Sequence, residues 1–212
     1  MGTFKTSKVK KKWKVREREN KFKFWQSPSN LLRSAPDNSD HPFALPTFCT
    51  TGPEGVPRPR IVVLRAVDAA ITELRCYTDR RSVKAEHLAA GSEGSYLFWD
   101  PDTSLQVMAG GPTHWAPEDE ARNAFRKLPK HGRKAYATVS APGTKVPHPT
   151  SGLPEDWDER QVADTDYAIH HFGILITRLR WADVLHLDRQ GNTRMTGSRS
   201  DGGDWYWEWA IP

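Results

Sequence analysis

The sequence lacks most of the residues and motifs that announce a function. Only two of its 212 residues are cysteine, Cys49 and Cys76. That is too few for a disulfide framework or a cysteine-based zinc site, and it fits a reduced, cytoplasmic setting. No run of about 18 apolar residues occurs, which excludes a membrane-spanning helix. No apolar stretch follows the basic N-terminus, so no secretory signal is expected. The dinucleotide fingerprint, the phosphate loop, the nucleophile elbow and the zinc-binding HExxH helix are all missing. The eight histidines are scattered. The one adjacent pair, His170-His171, is expected on a strand with its rings on opposite faces, and no metal site is expected.

Charge is present but unevenly spread. The chain has 31 Lys+Arg against 26 Asp+Glu, a net of +5. Residues 1–25 hold ten of the cations and two acids, a net of +8, so the rest carries −3. The body is therefore mildly acidic, which argues against a nucleic-acid-binding body. The basic segment interleaves Trp13, Phe22, Phe24 and Trp25 with its lysines. Such a segment can hold nucleic acid or an anionic membrane, or it can be a solvated tail whose aromatic end docks on the body. Met1-Gly2 followed by Thr6 also fits the short N-myristoylation pattern. The reading adopted is a basic tail, 1–25, and one domain, 26–212.

That domain reads as mainly β. Strands are expected at 43–51, with Pro46 marking an edge or a bulge, and at 59–67, where Ile61-Val-Val-Leu64 lies between Arg60 and Arg65. Others are expected at 71–78, 96–99, 104–109, 169–177, 184–187, 193–197 and 205–209. Gly52-Pro-Glu-Gly55 reads as a turn and Asp68-Ala-Ala70 as a hairpin loop. Ser82 caps an expected helix that ends at Gly91, and Pro117 opens a second through Leu128 with acids in its first turn. Residues 140–157, with four prolines and two glycines, form a long loop of the kind that is often functional. Asp156, Asp158 and Glu159 there read as solvated. Many short strands with two helices imply a small β-barrel or sandwich.

One constellation carries chemistry. Arg60 and Arg65 bracket a buried strand, Tyr77-Thr78 ends the next, and Ser82 and Lys84 open a helix. A hydroxyl, a cation and free backbone N–H groups suit a phosphate. Gln106 offers the donor and acceptor that an amide-bearing ring requires. The bland alternative is surface ion pairs and an ordinary capped helix, and the residues alone leave both open.

The block Arg60-Ile-Val-Val-Leu-Arg65, Cys76-Tyr-Thr78, Arg81-Ser-Val-Lys-Ala85, Tyr96-Leu-Phe-Trp99 and Leu105-Gln-Val-Met108 resembles, in order and spacing, the pyridoxamine 5′-phosphate oxidase-like FMN-binding split-barrel family. Residues 181–187, Arg194 and 205–209 resemble its C-terminal end more loosely. The resemblance implies FMN as cofactor and a homodimer with each flavin site between two subunits. It implies Arg60, Arg65 and Lys84 near the phosphate or ribityl chain, Ser82 and Thr78 as hydroxyl donors, and Val63, Leu64 and Tyr77 along the flavin. Gln106 would lie beside the ring, with Ser140 as a later phosphate contact and Arg194 or Arg65 as the cation beside the reduced ring. Trp99, Trp205 and Trp207 are candidate walls of the substrate pocket.

The sequence departs from the oxidase at Val83, where the oxidase has arginine, and at Arg65, where it has lysine. Leu185 aligns with a flavin-contacting tryptophan, and Gly191-Asn-Thr-Arg194 lacks the oxidase's histidine. These changes point away from pyridoxamine phosphate and toward an FMN-dependent oxidoreductase for another small molecule. The alternatives are a non-catalytic flavin- or haem-binding barrel, a deazaflavin in place of FMN, and a tethering or nucleic-acid-binding protein acting through residues 1–25.

Overall fold

The computed structural model describes residues 19–21 and 23–212. The basic segment up to residue 18, with its myristoylation pattern and Trp13, lies outside the described residues, as does Phe22. The proposals of nucleic-acid or membrane binding by that segment therefore lie outside them too. Among the described residues, no helix is long and apolar enough to cross a membrane.

Helix α1 covers 19–21 and 23–34 of the described residues. Strands β1 (Thr47–Thr51), β2 (Pro57–Ile61), β3 (Leu64–Val67) and β4 (Glu73–Asp79) lead to helix α2 (Val83–Ala89). Strands β5 (Gly94–Asp100), β6 (Leu105–Gly111) and β7 (Thr113–Trp115) precede helices α3 (Glu118–Arg126) and α4 (Lys130–Arg133). Strands β8 (Phe172–Arg178), β9 (Trp181–His186), β10 (Thr193–Ser198) and β11 (Tyr206–Ala210) follow. A seven-stranded sheet runs β11-β10-β9-β6-β5-β1-β2, and a four-stranded sheet runs β3-β4-β8-β7. This is the mainly β, split-barrel architecture expected from the sequence.

The expected strand 59–67 is two strands. The chain leaves the large sheet after Ile61 and enters the small sheet at Leu64. Across the gap Val62 N–H donates to Pro46 O at 3.1 Å, and Leu64 N–H to Ala44 O at 2.9 Å. An unbroken apolar run carries no alternation to mark such a crossing, and it puts Arg60 and Arg65 on different sheets. The expected first strand is also shorter. β1 starts after Pro46 and lies inside the sheet, and the edge strand is β2, which carries Pro57 and Pro59. An edge strand tolerates proline's missing N–H.

Burial follows strand alternation. Tyr96 and Phe98 of β5 and Leu105 and Val107 of β6 point inward to meet Phe43, Phe48, Leu64 and Leu74. β8 is buried along nearly its whole length because both its faces are covered. Leu175 faces the barrel core, while Phe172, Ile174 and Ile176 meet Phe125 of α3, Tyr136 and Trp157. The histidine pair is not on a strand: His170 ends a 3-10 helix, Ala163–His170, and His171 caps it, its Nδ1 2.9 Å from Tyr136 O. Residues 137–162 contain no helix or strand, as the proline content suggested.

Helix α1 was not anticipated, and the expected boundary at 25/26 falls inside it. Trp25 packs on Trp207 (ring centroids 4.4 Å) and Trp205 (6.5 Å), and Phe24 packs edge-on against Trp209 at 5.2 Å. Lys21 Nζ donates to Trp207 O at 2.9 Å. The aromatic end of the basic segment thus docks on the body. Its sequence signal was the spacing of Phe24, Trp25, Leu31 and Leu32 along one helical face.

Candidate functional site

The N-terminal end of α2 faces β1, β2 and β4, and there two cations converge. Lys84 Nζ donates to Thr78 Oγ1 at 2.7 Å and to Ser82 Oγ at 3.1 Å. Both hydroxyls are buried. Arg60 reaches in from β2, its Nη1 donating to Thr50 Oγ1 at 2.8 Å. Burial lowers the Lys84 ammonium below the ordinary lysine range, and the positive charge of Arg60 lowers it further. Burial likewise lowers Arg60. The nearby acid, Asp79, is taken up by Arg81: its Oδ2 accepts from Nη2 at 2.7 Å and its Oδ1 from Nε at 3.0 Å. Two half-buried cations without an acid of their own are costly unless an anion joins them.

A second feature lies on the small sheet. Arg65 stacks over the Tyr77 ring at 5.1 Å. Both line a cleft of about 530 Å³ between this sheet and α3, closed by Asn123, Lys127 and Leu128. Arg75, also in its wall, is paired with Glu73 and Glu120. Tyr136, behind Tyr77, has its phenol pushed up by burial, with Arg65 opposing. Cys76, between Tyr77 and Arg75, faces the core, and burial pushes its thiol up. That matches the expected small core residue, whereas Cys49 is only half-buried.

The structure brings together Arg60, Thr78, Ser82 and Lys84, and it pairs Arg65 with Tyr77. It does not bring in the others within one chain. Leu64 is 1% exposed and faces the core, its N–H already bonded to Ala44 O; Val63, in the crossing, is exposed. Gln106 is on β6, three strands from β2, and Arg194 is on β10, five strands from it. Arg194 is held by Asp183, with Nη2 2.6 Å and Nε 3.0 Å from its carboxylate. Ser140 connects to the cluster only through Thr138, whose Oγ1 donates to Ser140 O at 2.9 Å and whose carbonyl accepts from Arg81 Nη1 at 3.0 Å. Trp205 and Trp207 pack under α1 and do not wall the cleft, while Trp99 is exposed. Sequence reasoning missed Thr50, His87, Asp79 and Arg81. His87 was accessible, since it lies three residues after Lys84 on one helical face.

The family described as pyridoxamine 5′-phosphate oxidase, FMN-binding domain, matches residues 23–116. Curated pyridoxine/pyridoxamine 5′-phosphate oxidases match as well. The one from Microcystis aeruginosa is 30% identical over 53% of this chain and 49% of its own length. The one from Granulibacter bethesdensis is 33% identical over 41% and 42%. Over residues 23–116 the chain is similar to the pyridoxamine 5′-phosphate oxidase, FMN-binding domain family. It spans about half the length of the curated relatives it matches. The same fold is found in a pyridoxamine 5′-phosphate oxidase-related, FMN binding protein from Nostoc punctiforme, with a TM-score of 0.71 at 19% identity over 89% of this chain and 97% of that one. It is also found in PhzG from Burkholderia lata, solved with tetrahydrophenazine-1-carboxylic acid, with a TM-score of 0.64 at 16% identity over 92% of each chain. The likeness in fold thus extends beyond the matched segment to β8–β11. The family match ends at Trp115-Ala116, before α3, so the α3 side of the cleft lies outside it.

Proposed function

We propose that this protein binds FMN and acts as an FMN-dependent oxidoreductase on a small molecule. The observation that carries the reading is the pair Arg60 and Lys84, half-buried and without an ion pair among the described residues, with Thr78 and Ser82 beside them. Two cations and two hydroxyls are the donor set a phosphate monoester dianion requires, so the residues present fit the phosphate end of FMN. When bound, the cofactor supplies the redox chemistry, and the protein supplies orientation and electrostatics.

The chain's own residues divide that work. Arg60, Lys84, Thr78 and Ser82 hold the phosphate. Arg65, fixed over Tyr77, borders the 530 Å³ cleft, where a small molecule has room beside it. Its permanent charge can stabilise negative charge developing there. Val63, exposed in the crossing between β2 and β3, lies between the two. Gln106 and Arg194 sit on the outward face of the large sheet, too far along it to join the cluster of their own chain. That face also exposes Ile61, Leu97 and Trp99, an apolar grouping unusual for a free surface. A homodimer through this face would bring the partner's Gln106 and Arg194 to the site, so the proposed unit is a dimer with FMN at the subunit interface.

The test is the visible spectrum of the freshly purified protein, followed by chromatography of what heat releases. The expected result is a flavin spectrum, release of FMN at near one per chain, and bleaching by a reduced nicotinamide donor followed by reoxidation in air. A colourless chain that takes up no added FMN overturns the proposal. Bound flavin that no donor reduces retains the binding half and removes the oxidoreductase half.

A further inference from the structure

Behind Arg60 lie two buried polar groups that the phosphate reading does not use. Thr50, on β1, is 1% exposed, and His87, on α2, is 7% exposed. Phe48 is the register partner of Arg60, and Thr50 shares its inward face, so the Arg60 side chain lies along that face and reaches the hydroxyl. Thr50 Oγ1 then has two partners: Arg60 Nη1 at 2.8 Å and His87 Nδ1 at 3.0 Å. A guanidinium only donates, so Arg60 occupies a lone pair of Oγ1. The hydroxyl hydrogen is satisfied when Nδ1 accepts it. The reverse arrangement, with Nδ1–H donating, leaves a buried hydroxyl hydrogen without a partner. Nδ1 is therefore the acceptor, and the ring hydrogen sits on Nε2. The imidazole is seated against bare backbone: a Cβ at Gly52 would come 3.2 Å from Nε2. Because His87 follows Lys84 by three residues, one face of α2 supplies the second cation directly and braces the first through Thr50.

We infer that Thr50 and His87 are positioning residues for Arg60, so that affinity for a phosphate group depends on a hydroxyl and an imidazole bonded to the arginine and not to the ligand. This rests on the phosphate reading of the Arg60–Lys84 cluster. The test measures dissociation constants of the full chain for FMN and for riboflavin, which lacks the phosphate. Thr50→Val is expected to weaken FMN by roughly tenfold, the scale of one lost hydrogen bond to a charged group, and to leave riboflavin unchanged. Thr50→Ser, which keeps the hydroxyl, restores FMN. His87→Leu weakens FMN in the same selective way, and His87→Asn, which keeps an acceptor near the place of Nδ1, restores much of it. In an Arg60→Ala background neither Thr50→Val nor His87→Leu weakens FMN further. If Thr50→Val does not fold, the two His87 variants answer the question alone. Equal losses for FMN and riboflavin, or a Thr50 or His87 effect undiminished without Arg60, overturn the positioning role. A wild-type chain that binds FMN no better than riboflavin, or binds neither, removes the phosphate reading itself.

Discussion

The two halves of the expected flavin site behave differently in a single chain. Arg60, Thr78, Ser82 and Lys84 are already assembled, each fixed by hydrogen bonds to neighbours from β1, β4 or α2. Gln106 and Arg194 sit on an outward sheet face among exposed Ile61, Leu97 and Trp99, and Arg194 is occupied by Asp183. The first half needs only the fold. The second, on the reading proposed, needs another copy of the chain. Anion binding should therefore be a property of the monomer, and ring binding a property of the assembly.

The strongest way to break this contrast is to remove the cations. Arg60→Ala with Lys84→Ala should weaken FMN by about two to four orders of magnitude, as expected for two charge-assisted hydrogen bonds, while riboflavin binding changes little. Fluorescence titration of the two flavins reads both numbers. Next is the sheet face. Placing a charge at its centre with Trp99→Lys should weaken self-association by roughly thirtyfold or more, the effect of losing one interface anchor. Sedimentation would show a monomer, and FMN affinity would lose its dependence on protein concentration. Dimerisation unaffected by Trp99→Lys would move the interface elsewhere.

Smaller effects sharpen the comparison. Arg194→Ala should lower flavin affinity by only a few-fold, since Asp183 already occupies its guanidinium, and the loss should vanish under conditions where the chain is monomeric. The pH dependence has a definite sign. Because burial and Arg60 depress Lys84 in the free site, binding a phosphate draws a proton back onto it. FMN affinity should fall as pH rises through the alkaline range, starting below the ordinary lysine value. Over the same window the unliganded chain should gain stability, because its unfolded form holds the proton longer. Lys84→Arg keeps the charge and should flatten both profiles; isothermal titration and thermal melts against pH would show it.

The sequence revealed these halves unequally, for physical reasons. Ser82 and Lys84 were legible because a helix start has a local grammar, and strands β5 and β6 because Tyr96/Phe98 and Leu105/Val107 alternate. The division of 59–67 was not legible. Ile61-Val-Val-Leu64 is apolar throughout, and the hydrogen bonds that mark the crossing come from Ala44 and Pro46, well upstream in sequence. Thr50 was hidden for a related reason: it is unremarkable on its own strand, and only the approach of β1 to α2 pairs it with His87. Helix α1 escaped notice because lysines dominate the composition around Phe24 and Trp25, although its apolar residues recur at helical spacing. The outward sheet face was legible as Gln106, Arg194 and Trp99 one by one but not as an apolar surface, since exposure cannot be read from a tryptophan's identity.

The docking of α1 also sets an order of events during synthesis. Trp25 and Phe24 find their partners in Trp205, Trp207 and Trp209, about 180 residues downstream. A ribosome adding roughly 5–20 residues per second leaves the apolar face of that early helix without its seat until the last strand has emerged. The anion cluster lies between Thr50 and His87, and β8, which pairs with its strand β4, ends at Arg178, so the cluster can close before that last strand. A nascent chain of this protein should therefore acquire its phosphate site while its first helix is still waiting, and it is that waiting helix, beside a run of lysines, that a holding chaperone would meet.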